Sequence, residues 1–286
     1  LQNIILSFAA FVARILPVRF RSSLYKNPSI SKAIRQGLNQ AAPEGLNETT
    51  IAAGNLAGMR MFLDLKAEKD YWLGTYEPQL QAAIQKLVLP GQIAYDIGAN
   101  IGFMTLLFAK CVESTGHVYA FEALPANLQR LRDNIAINAV DYRVTIISAA
   151  VNDRSSSTKF YIGPSPGTGK LVKSAGRSTI TYRESIEVEG ISIDDFIYQA
   201  GNPAPDILKI DIEGGEVLAL PGMSRMLHEK HPVVMIELHG QEAAQIGWDL
   251  LTKENYRICH MAADFPPILA LQEIDWKSYW VAFPDD

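Results

Sequence analysis

The run Ile93-Ala94-Tyr95-Asp96-Ile97-Gly98-Ala99-Asn100-Ile101-Gly102 leaves this chain few ways to fold. Its first five residues follow a Pro90-Gly91 stop and are rich in apolar and aromatic side chains, so they read as a strand. The strand enters a glycine-rich turn, and helical spacing resumes from Ile101 to about Val112. The pattern then repeats, with a strand at His117–Phe121 ending on Glu122, a turn, and a helix over Ala126–Asn138 with Pro125 at its start. Strands alternating with helices predict a parallel sheet covered on both faces.

Further elements extend that reading. A helix over Gln79–Val88 precedes the first strand, and Val144–Ala150 gives a third strand. Thr158–Ile162 and Ser185–Ile193 read as the arms of an inserted β-hairpin around a Gly/Ser-rich loop, Gly163 to Thr181, followed by a helix over Ile193–Gln199. Ile207–Asp211 and Pro232–Leu238 are too apolar for edge strands, and a single helix from Glu216 to His228 is expected between them. A helix over Gln241–Asn255 and a closing strand pair, Tyr256–Met261 with Tyr279–Phe283, complete a doubly wound, mostly parallel α/β sheet of seven strands.

Charge is unevenly spread. Residues 1–43 hold Arg14, Arg19, Arg21, Lys26, Lys32 and Arg35 and no acid, while the whole chain of 286 residues carries a formal charge of -5, so the remainder is distinctly acidic. An acidic body without a basic, aromatic-interleaved stripe argues against nucleic-acid substrates. The apolar run Ile4–Ala13 meets Arg14 too early to span a bilayer, and its charges follow rather than precede it, unlike an export signal. A cytoplasmic protein is expected, with residues 1–35 making peripheral contact at the inner membrane face, packing on their own domain, or meeting a second copy in a homo-oligomer. Cys111 and Cys259 have no C-x-x-C partner, so neither a disulfide framework nor a zinc site is expected.

The turn at Asp96–Gly102 lies where an open α/β sheet binds a nucleotide-like ligand. Gly98 and Gly102 allow a tight turn and close approach of a ligand to the backbone at a helix N-terminus. The spacing is D-x-G-x-x-x-G rather than the G-x-G-x-x-G of pyrophosphate sites, which counts against a nicotinamide-dependent oxidoreductase. Glu122, at the end of the second strand, can accept hydrogen bonds from both hydroxyls of an adenosine ribose and would repel a 2′-phosphate.

Five segments in order, Y-D-I-G-A-N-I-G at Tyr95–Gly102, A-F-E at Ala120–Glu122, N-I-A-I-N at Asn134–Asn138, S-A-A-V-N-D at Ser148–Asp153 and L-K-I-D-I-E-G at Leu208–Gly214, resemble the FkbM methyltransferases. The resemblance runs from about Gly74 to Glu237. It implies a class I methyltransferase (Rossmann-like) fold, S-adenosylmethionine as donor, and O-methylation of a sugar, glycan or glycosylated natural product. Residues 71–286 would form that domain, behind a helical, basic extension and lead-in over residues 1–70. Carried over by position, Asp96, Gly98, Asn100 and Gly102 would line the methionine and ribose side, Glu122 would hold the ribose, and Ala149 and Ala150 would lie near the adenine. Gly74, Tyr76 and Glu77 in G-T-Y-E-P would help close the cofactor site.

Asp211 and Glu213 leave the fourth strand where acceptor and donor methyl should meet. Residues two apart on extended backbone share a face, so the pair could bind a divalent cation such as magnesium, act as general base, or orient Lys209. Glu237 and His239 repeat the spacing on the fifth strand, and His239 is the preferred base because imidazole titrates near neutrality. The alternative from another class is a non-catalytic glycan- or membrane-binding module on the same fold. Retention of Glu122, Asp211 and Glu213 favours the enzyme.

Overall fold

The computed structural model describes residues 11–12, 36–162, 169–171, 174, 184–271 and 277–285. The expectations for residues 1–35 and for most of the 163–181 loop therefore lie outside the described residues. Among the described residues, no helix is long and apolar enough to cross a membrane. The chain divides into two compact units, Leu1–Pro78 with Asp133–Ala139, and Gln79–Arg132 with Val140–Asp286.

The first unit holds an element the sequence reading did not anticipate. Strands β1 (Leu46–Thr50) and β2 (Arg60–Asp64) pair antiparallel, with Leu46 opposite Asp64. Met61 and Leu63 point inward from β2 and are buried with Ile51 and Leu56. The asparagines of N-I-A-I-N act on this strand: Asn134 Oδ1 accepts from Phe62 N at 2.7 Å, and Asn138 both accepts from Arg60 N and donates to Arg60 O. They satisfy backbone groups that a sheet of two strands leaves open. A short helix, α1 (Lys69–Trp72), follows β2.

In the second unit, helix α2 (Pro78–Leu87, its first residue at the boundary) leads to β3 (Ile93–Ile97), α3 (Phe103–Val112), β4 (His117–Phe121), α4 (Pro125–Ile137, whose residues from Asp133 on belong to the first unit) and β5 (Val144–Ile147). Later come α5 (Ile193–Tyr198), β10 (Ile207–Ile210), α6 (Glu216–Ala219), α7 (Ser224–Lys230), β11 (Val233–His239), α8 (Gln241–Lys253), β12 (Tyr256–His260) and β13 (Lys277–Pro284). The expected sheet has seven strands in the order β12-β13-β11-β10-β3-β4-β5. All neighbours from β11 to β5 are parallel, and β13 runs antiparallel to both β11 and β12. From β3 the chain moves outward through β4 to β5, then returns to the other side of β3 for β10 and β11. Right-handed crossovers in opposite directions place helices on opposite faces, so the sheet is doubly wound.

Three expectations are corrected. The third strand ends at Ile147, and Ala150–Val151 instead form β6, which pairs parallel with β9 (Glu184–Ile191) in a second sheet. The insertion is accordingly more than a hairpin: β7 (Ser156–Ile162) lies between β9 and β8 (Gly169–Leu171), giving the order β6-β9-β7-β8. The expected helix from Glu216 to His228 is broken by a 3₁₀ turn at Pro221–Met223. Proline lacks the N–H that would continue the helix. A Cβ on Gly222 would sit 2.2 Å from the carbonyl oxygen of Asn152, so the break is also a point of close packing.

The core beneath the sheet is continuous. Tyr95, Phe121 and Phe196 form a ring cluster with centroids 5.2–5.9 Å apart, and the Tyr95 hydroxyl donates to Pro203 O. At the carboxyl end of β3, Gly98 has φ +81°, and a Cβ there would lie 1.9 Å from the Asp211 carbonyl oxygen just past β10. Gly201 shares the backbone conformation, φ +76°, with nothing within 4 Å of the Cβ position. Gly201→Ala is expected to cost about 1 kcal/mol of unfolding free energy, the backbone strain alone. Gly98→Ala should cost about 3 kcal/mol or more, because backbone must move as well. Urea denaturation of both variants checks this, and equal losses would mean that β10 yields freely.

Candidate functional site

The ends of β3 and β10 meet where the strand order reverses, and a buried ion pair ties them. Lys209 Nζ lies 3.1 Å from Asp96 Oδ1 and donates to Gly98 O at 2.7 Å. Thr105 Oγ1, on α3, donates to Asp96 Oδ2 at 2.6 Å. Asp96, expected to line a ligand, is 0% exposed, and its carboxylate is engaged inside by Thr105 and Lys209. Lys209 likewise supports the turn, through Asp96 and the Gly98 carbonyl.

Glu122 holds the other side of the same turn. Its Oε2 accepts from Asn100 N at 2.8 Å, and its Oε1 from Ala123 N at 3.0 Å and Leu124 N at 2.8 Å. Asn100 adopts φ +51°, a left-handed conformation that asparagine tolerates, and so aims its N–H at this carboxylate. Burial pushes the Glu122 pKa above its ordinary value, while these backbone donors and the Asn127 side chain pull it partly back. A carboxylate offers about four acceptor sites, so the donors already present nearly fill it. Asn127 is the donor of this set carried on a side chain, hence the one a ligand hydroxyl could replace. Ala150 is buried with Ala123, next to Glu122, against Phe160, Val188 and Leu218. Ala149 is buried too, and its N–H is bonded to Ile147 O.

Asp211, Glu237 and His239 come together at the ends of β10 and β11, with one potential ligand atom from each lying within 4.8 Å of the others. His239 is 1% exposed: its Nδ1 is 3.1 Å from Glu216 Oε1, and its Nε2 is 3.1 Å from Glu237 Oε1 and 3.7 Å from Glu213 Oε2. Burial lowers its pKa, but the hydrogen bond and charge of Glu216, with the charges of Asp211 and Glu213, outweigh that and raise it. The imidazole expected to be a cleft-facing base is thus buried, with carboxylates against both nitrogens. Asp211 is half-buried and Glu213 exposed, so these two present the accessible carboxylates.

Three further residues were not foreseen. Glu216 starts α6 and also accepts from Ile212 N. Its place only five residues after Asp211 was the available signal. Thr105 lies one helical turn into α3, at a spacing that reads as core. Lys277, which pairs with Glu237 Oε1, is brought in by β13 from far along the chain and has no local signature. Gly74, Tyr76 and Glu77 belong to the first unit and shape a turn there. The rings of Tyr76 and Tyr71 stack at 4.2 Å, and a Cβ on Gly74 would lie 2.0 Å from Ala53 O.

A sheet in this order, reversing at β3 and closed by an antiparallel β13 inserted between β11 and β12, is the class I methyltransferase arrangement. Residues 96–271 match the family model described as the methyltransferase FkbM domain, and the chain belongs to that family. Hexuronic acid methyltransferase AglP of Haloferax volcanii is 29% identical over 148 residues, covering 51% of this chain and 56% of that protein. The 31-O-demethyl-FK506 methyltransferase FkbM of Streptomyces tacrolimicus is 28% identical over 180 residues, covering 54% of this chain and 68% of that protein. The match thus spans little more than half the length of the first of these relatives. A crystal structure of methyltransferase FkbM from Methylobacillus flagellatus KT aligns over 77% of this chain and 53% of that one, at 19% identity and TM-score 0.45.

Lys209→Met would leave the Asp96 carboxylate buried beside an apolar chain. A loss on the order of 3–5 kcal/mol of unfolding free energy is expected, the usual penalty for orphaning one partner of a buried pair. Adding Asp96→Asn should recover part of it, because no uncompensated charge is then left inside. A double-mutant cycle by chemical denaturation reads the coupling, and strictly additive losses would count against the pair.

Proposed function

We propose that this chain methylates a hydroxyl oxygen of a sugar, glycan or glycosylated small molecule, with S-adenosylmethionine as donor. One observation carries the reading: Glu122 and the Asp211–Glu213 pair follow the carboxyl ends of β4 and β10, the two strands on either side of β3 and its glycine turn. The donor chemistry fits. A buried carboxylate suits ribose hydroxyls and rejects a phosphate, and the apolar wall around Ala123 and Ala150 suits a purine. The relatives add support, since one is named for a hexuronic acid and the other for an O-demethylated compound.

When bound, S-adenosylmethionine supplies a methyl carbon on a sulfonium, to which the acceptor oxygen bonds while the carbon–sulfur pair stays on sulfur. Asp211 orients the acceptor hydroxyl, and Glu213 takes its proton as that bond forms. Glu216, His239 and Glu237 hold the neighbouring strand ends rigid and do not touch the acceptor. Asn100 and Gly102 shape the loop facing the methionine part.

Calorimetric titration with S-adenosylmethionine, S-adenosylhomocysteine and NAD tests the reading. Both adenosyl ligands should bind in preference to NAD, with at least a tenfold loss in Glu122→Ala. Because burial raises the Glu122 pKa above 4.5, the ionised form that accepts from a ribose disappears at higher pH than for a free carboxylate. Affinity for S-adenosylhomocysteine should therefore fall as pH drops through that raised value, by up to about tenfold per pH unit. In Glu122→Gln this acid limb should be absent. No adenosyl binding by the folded protein, or a preference for NAD, would overturn the proposal.

A further inference from the structure

The charges around His239 do not balance. Four carboxylates, from Asp211, Glu213, Glu216 and Glu237, surround one imidazole, and among the described residues Lys277 forms an ion pair with one of them, Glu237. Glu216 and Glu237 are 0% and 2% exposed, so solvent screens neither well. Glu237 Oε2 is buried and has no hydrogen-bond donor, an arrangement that is costly unless something else occupies the position.

The hydrogen bonds already set the imidazole for a ligand's role. With Nδ1 donating to Glu216, the Nε2 lone pair is turned toward Glu237 and Glu213, two further acceptors. Facing acceptors repel unless a proton or a cation lies between them. A carboxylate behind one ring nitrogen and an anionic cluster before the other is how proteins prepare a metal-binding histidine.

We propose that Asp211, Glu237 and His239 bind a divalent cation of the Mn2+ type, which holds the acceptor oxygen during methyl transfer. Ligand atoms about 2.1 Å from an octahedral ion lie about 3.0 Å apart when cis and about 4.2 Å apart when trans. His239 Nε2 and Glu237 Oε1, at 3.1 Å, already have a cis spacing, and all three groups have a ligand atom within 4.8 Å of the others, so side-chain adjustment closes the set. Two carboxylates with one imidazole favour Mn2+ over Mg2+, because nitrogen is a poor ligand for the harder ion. Three protein ligands leave positions for water and for one or two acceptor oxygens, which suits vicinal hydroxyls. The ion lowers the pKa of the coordinated hydroxyl, and the released proton goes to Glu213 at the rim. Lys277 fills part of the charge deficit while the ion is absent, and so competes with it for Glu237.

Binding of the ion does not depend on the methyltransferase reading, whereas the role given to it does, and the test separates the two. Mn2+ is titrated into the metal-stripped full chain, free ion being followed by electron paramagnetic resonance, and S-adenosylhomocysteine binding is measured by calorimetry on the same preparation. One Mn2+ per chain is expected at ~0.1 mM or tighter, within the range of weaker oxygen-rich sites. Glu237→Gln and His239→Ala should each weaken it at least tenfold, with circular dichroism confirming the fold; Glu237→Gln, nearly isosteric, carries the test if His239→Ala does not fold. Lys277→Met should tighten it severalfold, which loss of a merely structural pair would not do. S-adenosylhomocysteine binding without Mn2+ binding would overturn this inference alone, as would Mn2+ binding indifferent to all three substitutions. Mn2+ binding without adenosyl binding would uphold the site and overturn the methyltransferase reading.

Discussion

The buried contact between Asp96 and Lys209 ties together the strand ends that carry the candidate site. Two charges removed from water are favourable only if each finds its partner and its remaining hydrogen bonds. Here the ammonium reaches the Asp96 carboxylate and the Gly98 carbonyl, while Thr105 takes the second carboxylate oxygen. Strand β3, its turn, helix α3 and strand β10 are thereby pinned at one place. The turn can approach β10 so closely only because Gly98 lacks a side chain. The candidate site lies at the strand ends just beyond this pinned point, so the sheet sets the positions of its carboxylates.

The two sides of the site differ in how they treat charge. On the β4 side, Glu122 is compensated by backbone N–H groups, a neutral solution that leaves a carboxylate able to meet hydroxyls. On the β10 and β11 side, carboxylates outnumber cations and crowd one imidazole, a negative field suited to a cation or to proton removal. The separation of the two sides by β3 follows from the strand order, which also dictates that ligand and acceptor enter from the same edge.

The second sheet and the β1–β2 hairpin show where local pattern runs out. Val144–Ala150 is mostly apolar, and the single polar Ser148 after Ile147 does not by itself tell which sheet the chain joins next. The partner, Glu184–Ile191, lies more than thirty residues later, so the switch is a matter of pairing rather than propensity. Likewise, N-I-A-I-N reads as the end of a helix. Only tertiary structure reveals that Asn134 and Asn138 bond the backbone of β2.

By itself the sequence determined the alternation of strand and helix, the position of the glycine turn, the acid ending β4, and the five ordered segments that mark the family, because each is written in contiguous residues obeying local rules of turn and period. It also placed Asp211, Glu213, Glu237 and His239 at strand ends. Tertiary structure alone decided which of them face outward. Asp96 and His239 turned inward, since Lys209, Glu216 and Lys277 arrive from segments distant in the chain or around a helix start, and only their positions in space decide whether a carboxylate or imidazole is spent on the fold or left for a ligand.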